Sequence, residues 1–527
     1  MKIRKTNFLL VFSAFIAMTS CGRAGGEKKS VCDTLVQPDT PVVAEPTYLP
    51  DTVYESARSL MYTVDVADTM VSGSLASTDD MYESVPGALT FRCGARRDAD
   101  FGGHIAGEPS AVTVDWTFKT GEDYTPTKYG AWGGGTGWTG QPLYINWPDS
   151  CMTRFVEGGV MNSEDSSEEI ILGSLAGKIY FIDYNSGKES RSPIDVGNPL
   201  KGTVSLDPTL NGNLYVGHGV PGRGSRFGAE VIDLNRHERS HFFGPDSKAH
   251  RGWNAYDSSP VRVGQFLFRL GENGTLYKFL ISPGSLKLHS ALRYRAGGVS
   301  PGMEASMSVY RNYGYVADNG GNVICVNLET LVPVWRYKLP DDTDSTPVVA
   351  EEADGVYVYT GCEVEHAGVT EAAFVKLDAL TGREVWVNRM PAQRKDVDSK
   401  HFDGGYYATA LPGEGNCSHL IFANCVANTD GQNGYFVAFD RSTGTTVYKT
   451  PLKYYAWSSP VGFLNDNGQM YVFTADCAGN VYLIDGVDGR ILYKTPLGAN
   501  FESSPVVIGN HVVIGSRGNT IYKLSIQ

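Results

Sequence analysis

The sequence predicts an all-β chain folded as an eight-bladed β-propeller of four-stranded antiparallel blades, closed by pairing an N-terminal strand with the C-terminal blade. Two observations lead there. Near the C-terminus one unit is written twice. Its first copy opens at Ser458-Ser459-Pro460-Val461, continues through 470–474, turns at 476–480 into 481–484, and turns again into 491–495. Its second copy opens at Ser503-Ser504-Pro505-Val506 and stops after its third strand. Short strands broken by Gly and Asp turns, recurring at about 45 residues, are the pattern of propeller blades. One such sheet cannot bury both faces alone, so copies must stack around a ring. The second observation is that residues 112–120 read as an outermost strand with no inner strands before it. The C-terminal copy lacks its fourth strand, so the two fragments complete one blade and remove an open edge.

In chain order, the first element is an address. Lys2, Arg4 and Lys5 precede an apolar run over 8–18 that is too short to span a bilayer and reads as an export signal. The run ends in Thr19-Ser20-Cys21, which resembles a bacterial lipoprotein cleavage site, with Met18 where that pattern usually has Leu. The resemblance implies a lipid on Cys21. The organisation that follows is a lipoprotein signal peptide over 1–20, a flexible tether over 21–85 and a propeller over 86–527. The tether is rich in Pro, Thr and Asp, as in Gln37-Pro38-Asp39-Thr40-Pro41, and has room for a short helix around 53–61. Residues 1–20 hold three positive and no negative charges, so their removal takes the net charge from −13 to −16. Such an acidic body disfavours nucleic acid and anionic membrane surfaces as partners, and leaves the N-terminal lipid anchor as the membrane attachment.

Seven blades precede the closing one. Their inner strands are expected at Thr139-Gly140-Gln141-Pro142-Leu143, Gly202-Thr203-Val204-Ser205, Ser258-Ser259-Pro260-Val261, Ala305-Ser306-Met307-Ser308, Ser345-Thr346-Pro347-Val348, Gly405-Tyr406-Tyr407-Ala408 and Ser458-Ser459-Pro460-Val461. Within them, Lys376-Leu377-Asp378-Ala379-Leu380-Thr381-Gly382-Arg383-Glu384-Val385-Trp386 has weaker copies at 182–188 and 438–444. Asp can accept turn N–H groups, Gly takes the left-handed position, and Trp335, Trp386, Tyr448 or Tyr493 offers a broad surface to a neighbouring sheet. This motif closely resembles the repeat of pyrroloquinoline-quinone propellers, and Leu89-Thr90-Phe91-Arg92 with Arg96 resembles their opening segment. In architecture and lipidation the chain is also similar to the propeller lipoprotein of the outer-membrane β-barrel assembly machine, which implies a protein-binding platform.

Three motifs could carry chemistry. His237-Glu238-Arg239-Ser240-His241 fits H-E-x-x-H, but its flanks read as strand-turn-strand, and two zinc ligands at that spacing need a helix. Gly135-Thr136-Gly137-Trp138-Thr139-Gly140 fits G-x-G-x-x-G without the strand, helix and later acid of a dinucleotide site. The resemblance to quinone-dependent alcohol dehydrogenases implies an adjacent cysteine pair and a calcium held by acidic and amide side chains. No two of the nine cysteines are adjacent and no Cys-x-x-Cys occurs, so pyrroloquinoline quinone is not expected, nor is any metal or catalytic residue. Cys325, Cys362, Cys425 and Cys477 read instead as small buried hydrophobes in or beside strands.

Function is then expected at the mouth of the ring, in the segments that lead into the inner strands. These hold Trp132, Trp138, Lys201, Arg251, Trp253, Tyr256, Asp257, Glu304, Asp342, Asp344, His401, Asp403, Tyr406, Tyr455, Trp457 and Glu502. Aromatics mixed with charge on loops over a rigid scaffold suit recognition. The expectation is a non-catalytic binding scaffold of the cell envelope, lipid-anchored at the outer membrane, that takes an envelope protein or a glycan. The alternatives are a quinone oxidoreductase or carbohydrate-active enzyme, and a surface glycan-binding lipoprotein. Cys21→Ser should abolish metabolic lipid labelling and release the mature protein from membranes; membrane retention with no labelling of the parent would refute the anchor.

Overall fold

Burial separates the strands of each repeat. Met470–Ala475 is buried throughout and Asn480–Asp485 nearly so, whereas the outermost Ile491–Pro496 is half exposed. Strands covered on both faces must lie between other sheets. The computed structural model describes residues 48–99, 102–138, 140–161, 167–224, 226–366, 368–397, 400–429 and 431–527. In it, eight mainly four-stranded antiparallel sheets surround an axis. The inner strands of blades I to VIII are Leu143–Asn146, Ser205–Leu206, Val261–Val263, Ser308–Tyr310, Val348–Glu352, Leu411–Pro412, Val461–Asn465 and Val506–Ile508. The fourth strand of blade VIII is Val112–Lys119, antiparallel to Thr520–Ile526 with Val112 opposite Ile526 and Lys119 opposite Thr520.

Blade VI corrects one expectation. Its inner strand forms at Leu411–Pro412, beyond the stretch opening at Gly405. Gly404–Gly405 bridges two blades, with Gly405 opposite Val426 of blade VI on one side and the pair opposite Glu363–Val364, which follow the second strand of blade V, on the other. Gly405 has φ of 95°, and a Cβ there would lie 2.5 Å from the Cys362 oxygen, so only glycine lets the chain cross so closely.

The repeat motif explains how blades are joined. In Asp378-Ala379-Leu380-Thr381-Gly382 the Asp378 Oδ1 accepts the N–H groups of Leu380 and Thr381 at 3.1 and 2.9 Å, closing the turn. Gly382, with φ of 71°, lies against the Trp335 ring of the preceding blade; a Cβ there would meet ring carbon at 2.5 Å. Trp335 in turn donates Nε1–H to the Ala379 oxygen at 2.9 Å. The same lock recurs as Trp386 on Gly444, Tyr448 on Gly489 and, across the ring closure, Trp116 on Gly187. Each lock puts a large apolar surface between two sheets and satisfies the ring's polar edge on the neighbour.

The segment before the closing strand fills the axis. Gly87–Ala88 pairs with the inner strand of blade I, and Leu89 O accepts from Leu206 N of blade II. Ala95 O and Arg96 O accept from Val309 N and Val349 N of blades IV and V. Gly103–Ile105 then runs parallel to the inner strand of blade VII, and His104 N donates to Gly509 O beside blade VIII. Arg92 and Arg97 are wholly buried. Arg92 donates to Pro460 O at 2.6 Å and Ala410 O at 3.0 Å; Arg97 donates to Met307 O at 2.9 Å and Ser259 O at 3.0 Å. One short segment thereby reaches all eight blades.

Upstream, the expected tether over 21–85 is corrected from residue 48 onward. Leu49 exchanges hydrogen bonds with the Asn312 side chain, Glu55–Ser59 makes one 3-10 turn in place of the expected short helix, and Leu60–Val66 adds a fifth, antiparallel strand to blade III. The reason is that Leu60-Met61-Tyr62-Thr63-Val64-Asp65-Val66 is β-forming despite its Pro- and Asp-rich flanks. The signal peptide, Cys21 and the start of the tether lie outside the described residues. Trp386→Ala should lower stability by roughly 3–5 kcal/mol in denaturant unfolding, while Val385→Ala beside it, at 37% exposure, should change it by less than about 0.5 kcal/mol. Equal effects would refute the inter-blade lock.

Candidate functional site: the carboxylate basin at the channel mouth

In each blade the inner strand runs away from the mouth and the second strand runs back. Two classes of loop therefore share one face: those leading into inner strands and those joining second to third strands. The residues expected at the mouth all come from the first class. Glu272, Asn319 and Glu363 belong to the second and escape a search of the inner-strand openings, although the same antiparallel topology places them there.

Together the two classes build a basin of carboxylates. Oxygen atoms of Asp257, Glu272 and Glu304 lie within 4.8 Å of one another, a spacing that could hold a small cation. Lys201 forms an ion pair with Asp257 and stands 3.8 Å from Glu304. Asn319 Nδ2 donates to Glu304 at 3.3 Å and to Asp342 at 3.2 Å, tying Asp342 of blade V to the triad. Beyond Asp342 the arc continues through Asp344 and Glu363 to the Tyr407 hydroxyl. A second group that could hold a metal, Asp341, Glu365 and His366, lies just outside the arc.

So many carboxylates in one place cannot all ionise. Burial, then the Glu304 and Asp257 charges, hold Glu272 well above the usual carboxylate range. Asp342 is pushed up to about 7 by burial and by Glu304 and Glu365. Burial opposes the charge on Lys201, but Asp257, Glu304 and Glu272 outweigh it and hold the ammonium firmly protonated. At the far side of the mouth, Glu502 is raised by burial against the pull of Arg517, 3.7 Å away.

Aromatic rings flank the basin in two groups. Trp253, half-buried, donates Nε1–H to Glu272 at 2.7 Å and packs against Tyr129 and Phe227 at 4.9 and 5.5 Å. Trp457, also half-buried, packs against Tyr407 and Tyr455 at 5.2 and 5.4 Å. Several expected rim residues are otherwise placed. Tyr406 is fully buried against Phe374, and Tyr256 against Tyr277 and Phe243, so both are inter-blade packing. Trp138 and Tyr455 are buried at 8% and 9% exposure. Trp132, Arg251 and Asp403 are half-buried, with Asp403 3.9 Å from Arg394, and His401 lies on the strand Lys400–Phe402.

The two motif matches resolve as turns. His237, with φ of 54°, sits between Ala229–Asp233 and Glu238–Phe243 and contacts Ser192 O of blade I at 2.7 Å. His241 contacts Ser285 of blade III at 3.3 Å, so the two imidazoles serve opposite neighbours. In the glycine-rich match, Gly135–Trp138 forms no helix and precedes the strand Leu143–Asn146. The described cysteines are single thiols; Cys325, Cys362 and Cys425 are buried as expected, whereas Cys477 is only half-buried.

The fold is that of an eight-bladed β-propeller, and two stretches of the chain match a propeller family. Residues 289–403 and 432–527 match the family model described as outer membrane protein assembly factor BamB. Among solved structures, the fold is similar to the quinohemoprotein alcohol dehydrogenase of Comamonas testosteroni, with a TM-score of 0.58 and 11% identity over 84% of this chain and 80% of that one. It is similar to the quinohemoprotein alcohol dehydrogenase ADHIIG of Pseudomonas putida HK5, at 0.57 and 10% over 84% and 81%. BamB from Moraxella catarrhalis matches at 0.48 and 12% over 79% and 100%. No curated protein sequence matches the chain.

The raised Asp342 carries a stability consequence. A carboxyl that holds its proton more tightly when folded loses stability as pH rises from the ordinary carboxylate range toward about 7. Asp342→Asn should therefore unfold at a higher temperature than the parent at pH 8, and the two should converge below about pH 4. A variant less stable at pH 8 would refute this.

Proposed function

We propose that the chain is a non-catalytic binding scaffold of the cell envelope, lipid-anchored through Cys21, that captures an envelope protein at its channel mouth. The supporting observation is the basin itself: buried acidic groups from blades III to V, supplied by both loop classes and flanked by Trp253 and Trp457, on a ring whose axis is filled. Rigid loops with aromatic edges and charge suit an interface, in which a few anchors dominate. The match to a family described as an outer membrane assembly factor agrees with this reading and with an envelope location.

The quinone of the structurally similar dehydrogenases fits this site poorly. That cofactor carries carboxylates, whereas the basin offers carboxylate acceptors, with Lys201 and Arg517 already paired to Asp257 and Glu502. The adjacent cysteine pair is also missing from the sequence.

A photo-crosslinking residue placed at Tyr454, half-buried in the loop leading into the blade VII inner strand with its ring 4.4 Å from that of Tyr455, should give a discrete protein adduct in intact cells. Trp253→Ala and Trp457→Ala should each weaken that capture about tenfold, or ~1–2 kcal/mol, without loss of export or folding. His237→Ala with His241→Ala should leave it unchanged. Adducts forming only at the outer turns would overturn the proposal.

A further inference from the structure

We infer that the basin formed by Asp257, Glu272, Glu304 and Asp342 is a receptor for a primary ammonium group, either a lysine of a partner chain or a free alkylamine. The inference rests on the scaffold reading and names what the mouth recognises.

The basin already accommodates such a group. Lys201 places its ammonium against Asp257 and near Glu304, so four carboxyl groups share one resident ammonium, and positive charge falls short once Glu272 and Asp342 give up their protons. A second observation is independent of the charge count. Asp342, at 8% exposure, has no partner for Oδ1, and Glu272, at 5% exposure, has none for Oε1. The Asn319 Oδ1 beside them is also unpartnered, because its Nδ2 serves Glu304 and Asp342. Once deprotonated, the two carboxyl oxygens are buried acceptors without a donor, which is costly. An ammonium is a compact, donor-only group with three N–H bonds to give.

The geometry favours an ammonium over other cations. The acceptors come from separate turns of blades III to V and converge on a small volume, which suits a compact head better than a planar guanidinium fork seeking one bidentate carboxylate. A divalent ion would need the Asp257 and Glu304 oxygens that face Lys201. Trp253, fixed by Glu272, Tyr129 and Phe227, supplies an aromatic wall for a cation or for the methylene stem behind it.

Capture is coupled to protons. Glu272 and Asp342 face Asp257, Glu304, Asp344, Glu363 and Glu365, with Lys201 as the resident cation, and hold protons because burial, and then those charges, oppose their ionisation. An incoming ammonium displaces the protons, so affinity should rise with pH across neutrality.

The test uses the mature chain and four probes: a lysine–serine decapeptide, its ε-acetylated counterpart, spermidine and Ca²⁺. Binding is followed by calorimetry and tryptophan fluorescence at pH 6 and pH 8. The lysine peptide should bind saturably and more tightly at pH 8, and the acetylated peptide should not bind. Glu272→Gln and Asp342→Asn should each weaken binding at least tenfold, with unfolding temperatures confirming a folded ring. Saturation by spermidine as well identifies a free amine as a sufficient source; saturation by the peptide alone identifies a chain-borne lysine. Binding of Ca²⁺ alone, equal binding of the acetylated peptide, or indifference to both basin variants would overturn the inference. A rim adduct in cells without lysine-peptide binding would sink this inference and leave the scaffold reading intact; peptide binding without an adduct would do the reverse.

Discussion

Two guanidinium groups sit where eight sheets meet. Arg92 and Arg97 are buried at the axis and direct their donors to main-chain oxygens at Ser259, Met307, Ala410 and Pro460, where four different inner strands begin. Desolvation pulls both down to about 10, yet each remains charged at neutral pH. Carbonyl oxygens at the narrow centre of a propeller point at one another and need donors. A planar cation with several N–H groups bridges them between blades that share no strand. The segment carrying these arginines needs left-handed backbone at Arg92, Cys93, Arg97 and Ala99, and the ring around it holds that conformation in place.

The periphery works by a different rule. There the lock is apolar and pairwise, with one aromatic ring against one glycine of the next blade, and each interface depends only on its neighbours. Axis and rim are therefore complementary. The locks set the spacing of successive blades, and the plug couples blades that never touch. The closing strand Val112–Lys119 begins shortly after the plug, so ring closure and axial filling are contributed by one stretch of chain.

A ring held at both places can support an unfavourable mouth. Like charges gathered at Asp257, Glu272, Glu304 and Asp342 oppose one another, and burial of carboxyls without donors adds to the cost. Such strain is retained where it serves binding, because a ligand that supplies the missing charge and donors releases it. The aromatic groups around Trp253 and Trp457 lie at opposite ends of the carboxylate arc, so a partner laid across the mouth would meet an apolar edge, a charged centre and a second apolar edge.

Everything that repeats or joins neighbours is legible in the order of residues. The Asp-to-Gly turns, the aromatic partners of those glycines, the number of blades and the complementary defects at the two chain ends are short-range patterns, because each blade is specified within about 45 residues. The lipid anchor likewise rests on a local motif and remains an expectation of sequence. Tertiary structure decides the rest. Glu272 and Asn319 look like ordinary turn residues until the ring places them beside Glu304. Tyr406, Tyr256 and Trp138 look like rim residues until neighbouring packing buries them. Leu60–Val66 looks like part of a tether until blade III offers it an edge. In each case the deciding contact joins a residue to a different blade or to a segment outside its own repeat, and no periodicity within one repeat records which face a neighbour will cover.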